Sequence, residues 1–312
     1  MPSCSRDRTK VVARRRTTLV SGYIMEYGRS SSGVANGSSQ GVLQMQTERM
    51  TAWFEATASR HSRRVYTAAP VDSETLDTLA SACEGFHPYP DARVTLVTEP
   101  GTDIFTGVIG SYGKVTGAPH VLCVIVDEDA PFAQQHAGYV GEAAVLEATS
   151  LGLGTCWIGG FFDPEKAARL VRLGENERVV AVSPVGIAVD DYSGSERAMR
   201  TMSSAHKRKS LERIVPEGTA GWPDWALAAV ECARIAPSAV NRQPWRFRMR
   251  NRDLLISRDS PIEMPRVTKA LDCGIAMLHI QLGALSKGVM GRWEDLAEGP
   301  TMARFVPLGE PE

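Results

Sequence analysis

The sequence lacks the features that would place it in several common classes of protein. No apolar run approaches the roughly 18 residues that a membrane-spanning helix needs, so a soluble chain with no membrane partner is expected. No CxxC pair occurs, and Cys4, Cys83, Cys123, Cys156, Cys232 and Cys273 stand far apart with no histidine at metal-ligand spacing. A structural zinc site is therefore not expected, and the thiols read as reduced cysteines of a cytoplasmic protein. A basic surplus is also missing. The 35 Lys and Arg residues are balanced by 36 Asp and Glu, which leaves no field to draw in nucleic acid. No G-x-G-x-x-G follows a strand, so a Rossmann reading fails. What the 312 residues do have is a 43% apolar fraction, enough for a substantial core.

Residues 1–45 differ from the remainder. "RTKVVARRRTTLVSG" and "GRSSSGVANGSSQG" are rich in Arg, Ser and Gly, with no sustained apolar period. They fit a disordered tail or an extension outside the fold, and they share their composition with transit peptides.

Beyond them the pattern predicts a helix over Met50–Arg60 and another within Ala69–Gly85, capped by Asp72 or Ser73. "ARVTLVTE" alternates as a strand, and Ala118–Asp129 reads as a buried central strand. Tyr139–Gly154 reads as a core helix, Pro164–Leu173 as an amphipathic helix and "RVVAVSPVGIAV" as a second buried strand. Then the order starts again. "WPDWALAAVECARIAPS" is a helix, "WRFRMRNRDLLISRD" a hairpin, and "ALDCGIAMLHIQLGALSKGVMGRWE" a long apolar helix ending in small residues. That recurrence predicts an internal duplication, with one half over 50–217, a shorter one over 218–312, and a boundary near Gly218–Gly221.

Four stretches could carry chemistry. In "RHSRRVY", Arg60, Ser62 and Arg64 alternate, and an extended segment would put them on one face as a phosphate receptor. A solvated basic edge fits the same residues. "LGLGTCWIGGF" carries glycines after a helix, suited to close approach by a flat ligand or simply to a helix stop with a tight turn. "HKRKSLE" could close over a phosphate or remain a solvated run. "APSAVNRQPW" is the most specific of the four. Pro237 and Pro244 fix the backbone, Ser238 and Asn241 offer a hydroxyl and an amide, and Trp245 anchors the turn.

Together these stretches resemble the nitroreductase family of FMN-dependent oxidoreductases, over roughly Thr57 to Trp293. "RHSRRVY" is similar to its R-x-S-x-R motif, "APSAVNRQPW" to its P-S-x-x-N-x-Q-P-W turn, "GLGTCWIGGF" to its segment beside the flavin, and "KRKSLE" to its basic C-terminal contacts. The resemblance implies an α+β fold of two tandem halves forming a pseudo-dimer, with a central, mainly antiparallel sheet flanked by helices. It implies FMN as cofactor and NADH or NADPH as co-substrate, delivering hydride to flavin N5 and on to a small acceptor such as a nitroaromatic or a quinone. A diverged flavin- or small-ligand-binding protein of the same fold is the alternative, and flavin-fragmenting or dehalogenating chemistry a third.

By the same resemblance, Arg60, Ser62, Arg64, Lys207 and Arg208 hold the phosphate and ribityl chain, and Lys209 is a substitute for Arg208. Gly159 and Gly160 face N5 and O4, and Pro237, Ser238 and Asn241 cover the ring. Ser111 and Lys114 approach the pyrimidine edge, where Lys114 is either a fixed cation or an exposed loop lysine. Cys156 is expected to pack rather than react. In ordinary members the turn follows R-x-S-x-R within the same subunit, but that place here reads "SACEGFHPYPDARV". The late turn implies that the second half replaces a partner subunit, with one flavin per chain and a monomeric pseudo-dimer.

Overall fold

The structure, a computed structural model, describes residues 38–100, 104–106, 114–202, 204, 206–263 and 266–308. Residues 1–37, most of the expected extension, fall outside the described residues, whereas 38–45 belong to the first helix. That helix, α1, runs Ser38–Ser59 and starts well before the expected Met50. It docks through Trp53, whose ring meets Phe86 edge-on at 5.1 Å and whose indole N–H donates to Glu147 Oε2 at 2.5 Å. The second helix, α2 (Ser73–Gly85), is capped by Asp72, which accepts from the Thr75 amide at 2.8 Å.

The apolar run at 118–129 folds as β2 (His120–Asp127). Its continuity has a physical reason: both faces are covered. Leu122, Val124 and Val126 enter the main core, while Val121, Cys123 and Ile125 enter a second core with Phe105, Ile158 and Phe162. Around β2 lie β1 (Ala92–Thr98), β3 (Gly154–Thr155) and β4 (Glu177–Gly186), in the order β1-β2-β4-β3 and antiparallel throughout. Between β2 and β3 runs α3 (Ala133–Ser150). The expected Pro164–Leu173 helix shortens to α4 (Pro164–Ala168). Two short helices follow, α5 (Gly194–Met202) and α6 (Leu211–Ile214).

The second half opens with α7 (Asp224–Arg234). Its sheet comprises β5 (Trp245–Arg250), β6 (Asp253–Arg258), β7 (Met290–Glu298) and β8 (Thr301–Leu308), ordered β5-β6-β8-β7 and again antiparallel. The expected β5–β6 hairpin is present, turning at Asn251 and Arg252, with Asn251 in the left-handed region at φ 57°. The β7–β8 hairpin was not foreseen. Its segment continues the apolar helix pattern in sequence, but α8 (Lys269–Ser286) ends before it.

The fold is α+β, with its antiparallel strands divided over two sheets rather than joined in one. Both sheets place their strands in the order first, second, fourth, third, and both insert a long helix between the second and third strands. Those helices, α3 and α8, are each 18 residues long and pack on one another at the centre. A side chain on Gly138 of α3 would overlap the Leu271 carbonyl of α8, and one on Gly274 of α8 would overlap the Gln135 carbonyl of α3. The same close approach is thus made reciprocally. Among the described residues no helix is long and apolar enough to cross a membrane.

Candidate functional site

Two of the stretches singled out in the sequence share one strand edge with the residues that follow Lys114. The segment after α1 leaves the helix at Arg60, whose amide still donates to Ala56. It then runs extended, with Ser62 bridging Thr155 in parallel and the Arg63 amide donating to the Thr155 carbonyl at 2.8 Å. On its other side the Thr116 amide donates to the Arg64 carbonyl, and the Tyr66 amide to the Thr116 carbonyl. The R-x-S-x-R segment therefore lies between the glycine-rich segment and the residues after Lys114. Gly154 eases this approach, because a Cβ there would stand 3.3 Å from Tyr66 Cε1 and 3.4 Å from Arg63 Cβ, and would press on Ala188 Cβ at 2.8 Å. Lys114 is half-buried at the start of its strip, and Ser111 lies outside the described residues.

The arginines of this segment differ in their partners. Arg63 is a structural residue. Its guanidinium sits 3.7 Å from Glu196 and 4.7 Å from the Tyr192 ring centroid. Glu196 is 1% exposed. Burial opposes its charge, but amide hydrogen bonds from Arg64 and Ser193, with Arg63 nearby, keep its carboxyl below the usual range. Arg60 is 9% exposed, has no ion pair among the described residues, and its buried Nη1 meets no acceptor there. Other cations surround it. The Arg208 pKa is lowered by burial and then by Arg60, Arg234 and Arg200. His61 is lowered by burial and then by Arg60, Arg200, Arg63 and Arg208. A buried guanidinium left unpaired among like charges costs several kcal/mol unless an anion joins it. This cluster is a candidate receptor for an anion.

The proline-bounded turn reaches the same place from the second half. It holds a 3₁₀ turn, Ala239–Asn241, with Val240, Asn241 and Gln243 at φ 46°, 57° and 46°. Positive φ is uncommon outside glycine and costs most at a β-branched residue such as Val240, so surrounding contacts must impose it. Asp272 on α8 supplies them. It accepts from the Ala239 amide at 3.0 Å and pairs with Arg242 at 2.5 Å. Burial raises the Asp272 carboxyl to about 6, against the pull of Arg242. Pro237 and Ser238 are half-buried, the Ser238 Oγ accepts from the Gln243 amide at 2.9 Å, and Trp245 is fully enclosed.

The turn is joined to the basic segment by side-chain contacts. Arg208 Nη1 donates to Asn241 Oδ1 at 3.1 Å and Arg208 Nη2 to the Ile235 carbonyl at 3.2 Å. The Lys207 carbonyl accepts from Asn241 Nδ2 at 2.9 Å, while the residue itself is exposed. Lys209 is engaged elsewhere, donating to the Gln243 carbonyl at 2.8 Å with Asp259 3.7 Å away. Arg60 and Asn241, far apart in sequence, thus share Arg208 as a neighbour.

The glycine-rich segment closes the site. Ile158 and Val182 exchange backbone hydrogen bonds at 2.9 Å, which presents Gly159 and Gly160 at the end of the strip. Residues 266 and 267 of the second half lie over them. A Cβ on Gly159 would stand 3.0 Å from the Val267 side chain, and Arg266 Nη1 donates to the Gly160 carbonyl at 3.5 Å. Cys156 is 1% exposed, and its amide is held by Ser183, in keeping with a packing role. Sequence reasoning did not find His61, Arg200, Glu196 or Asp272. His61 lies inside the quoted motif, whereas the two carboxylates matter only through folded contacts that no spacing announces.

Two antiparallel sheets and a glycine-mediated helix crossing at the centre, with a cluster of arginines beside the proline-bounded turn, give the chain a nitroreductase-like fold. A family model described as "Putative TM nitroreductase" matches residues 52–284, and the chain belongs to that family. Among solved structures it is similar to a putative nitroreductase from Thermotoga maritima msb8, at 20% identity and a TM-score of 0.53, over 81% of this chain and 93% of that one. It is also similar to a nitroreductase family protein from Streptococcus pneumoniae TIGR4, at 17% identity and a TM-score of 0.41, over 52% and 98%. A nitroreductase with bound FMN from Bacteroides fragilis NCTC 9343 matches at 22% identity and a TM-score of 0.35, over 45% and 90%. No curated protein sequence matches.

Proposed function

We propose that this chain is an FMN-dependent oxidoreductase that holds one flavin between its two halves. The observation that carries the reading is Arg60, a buried guanidinium whose Nη1 has no acceptor among the described residues, set among further cations. That donor set fits a flavin phosphate. Arg presents paired N–H groups to phosphate oxygens, and an anion there would neutralise the cluster. When bound, FMN supplies hydride transfer from NADH or NADPH to a small acceptor such as a nitroaromatic or a quinone.

In this reading Arg60, Ser62, Arg64, Lys207 and Arg208 grip the phosphate and ribityl chain. The backbone N–H groups of Gly159 and Gly160 face the reactive edge of the ring, where fixed donors act on developing charge. Lys114, with Ser111 beyond the described residues, serves the pyrimidine side, and a cation there favours electron-rich flavin. Pro237 and Ser238 cover the plane from the second half. The matching strand orders and equal central helices support an internal duplication, with halves at 50–217 and 218–312, and a single chain that functions as a cytoplasmic pseudo-dimer.

The absorption spectrum of the purified protein tests this reading. A flavin band that NADH or NADPH bleaches anaerobically is expected. A colourless protein that takes up no FMN would overturn it, and a yellow one that neither nucleotide reduces would leave a flavin binder without turnover.

A further inference from the structure

Asn241 occupies the place in the turn where a ligand-facing amide would be expected, yet its side chain is fully engaged within the protein. Oδ1 accepts from Arg208 Nη1 at 3.1 Å and from Gln243 Nε2 at 3.1 Å. Nδ2 donates to the Ser204 carbonyl at 2.8 Å and to the Lys207 carbonyl at 2.9 Å. A carboxamide has two N–H donors and two acceptor lone pairs, and all four are used. The backbone serves the same end. Val240 and Asn241 are both in the left-handed region, which turns the amide back onto the basic segment, and asparagine adopts that conformation more readily than most residues.

Arg208 is the beneficiary. Its fork is held by Asn241 Oδ1, by the Ile235 carbonyl at 3.2 Å and by the Lys207 carbonyl at 3.2 Å. These three acceptors are neutral oxygens, and together they fix the direction of the guanidinium. Asn241 and Ile235 both follow the expected boundary near Gly218, whereas Arg208 precedes it. Within the same turn the Ser238 hydroxyl is engaged as an acceptor by Gln243 and keeps its own proton to donate.

We propose that Asn241 is a positioning residue that aims Arg208 at the anion, rather than a group that touches the flavin ring. The inference rests on the flavin reading given above. It predicts that the second half acts on the phosphate end through this amide, while ring contact falls to Ser238 and its neighbours.

The test compares FMN with riboflavin, which has the same ring and no phosphate, by titration calorimetry on the full chain. Asn241→Ala should weaken FMN binding about tenfold and leave riboflavin within about twofold. Arg208→Ala should do the same, and the double variant should bind FMN no worse than Arg208→Ala alone, because both changes remove one interaction. Additive losses, or an equal fall in riboflavin affinity, would overturn the proposal. Asn241→Asp keeps the side-chain shape and covers the case in which Asn241→Ala does not fold. It should leave riboflavin affinity unchanged, whereas a carboxylate replacing a ring-contacting amide would reduce it. A parallel arm needs no flavin: the rise in melting temperature given by inorganic phosphate should shrink in Asn241→Ala as in Arg208→Ala. A wild-type protein that is stabilised by phosphate but binds no flavin refutes only the cofactor reading. Full phosphate stabilisation in Asn241→Ala refutes the positioning role, and a wild type responding to neither ligand refutes both.

Discussion

His279 Nε2 on α8 lies 2.9 Å from Glu142 Oε1 on α3, and both side chains are almost completely buried. The pair ties the two halves together inside the core. The other carboxylate oxygen accepts from the Trp157 indole at 2.6 Å, and His279 Nδ1 faces the Cys232 carbonyl at 3.1 Å. Burial opposes a charge on His279, but the contacts with Cys232 and Glu142 raise its pKa to about 9. The contact therefore runs from α7 through both central helices to the glycine-rich segment.

Removing one member of such a pair strands the other. Glu142→Ala should lower the unfolding free energy by about 3–5 kcal/mol, read from urea denaturation. The double change Glu142→Leu with His279→Leu should recover a good part of that loss, because no buried charge remains. A single Glu142→Ala within about 1 kcal/mol of wild type would show that the pair does not hold the halves.

The glycines at the helix crossing make a sharper steric prediction. A methyl group at Gly138 or Gly274 meets a backbone carbonyl of the opposing helix, which cannot rotate away. Each alanine variant should lose about 2 kcal/mol or more, and the two should be non-additive, since one helix displacement relieves both. Gly85, at the end of α2, has nothing within 4 Å of a Cβ and provides the control. Gly85→Ala should change stability by less than about 0.5 kcal/mol.

The contrast between those glycines shows what the sequence can and cannot say. The four motifs were legible because each is short and its chemistry sits in consecutive or alternating residues. The run around Cys123 was legible because burial on both faces removes polar residues from a strand. The start of α3 was not, since its N-cap, Phe132, sits at φ 66° and offers no side-chain cap. The length of α4 was misjudged because Arg169 and Leu170 continue in tightened turns, bonding to Lys166 and Ala167. Beyond residue 286 the alternation of buried Gly291 and Trp293 with exposed Arg292 marks a strand, but the preceding helical pattern masked it. The Asn241–Arg208 contact joins residues 33 positions apart, and no local pattern encodes it.

A pH dependence of stability follows from His136. Its ring lies between Asp91 at 2.7 Å and Asp295 at 3.0 Å, stacked on Tyr89 at 3.8 Å. Burial opposes its charge, but the hydrogen bonds to Asp295 and Asp91 prevail and raise its pKa to about 9. A folded-state value above the unfolded one stabilises the native state while the group is protonated. That contribution is complete below about pH 6.5 and disappears as pH rises through about 9. Unfolding free energy should therefore fall by about 3 kcal/mol over this window for this residue, with His279 adding to the same trend. His136→Gln should flatten part of the slope. An unchanged slope in that variant would place the titration elsewhere.

His61 gives the last prediction, a link between ligand binding and proton uptake. Burial and then the surrounding Arg60, Arg200, Arg63 and Arg208 hold its pKa below the ordinary value, so these guanidiniums disfavour a proton there. A phosphate lying among those guanidiniums offsets their field and lets His61 take up a proton. Binding and protonation are thereby linked, and each must favour the other. FMN affinity should rise as pH falls from 8 to about 6.5, a range that stays above the second phosphate ionisation near 6. Riboflavin affinity should not change, because that ligand brings no charge to the cluster. His61→Ala should abolish the pH slope for FMN while retaining most of the affinity at pH 8, where the imidazole is already neutral. FMN affinity that is flat with pH in the wild type would separate His61 from the phosphate, and with it the placement of the anion beside Arg60.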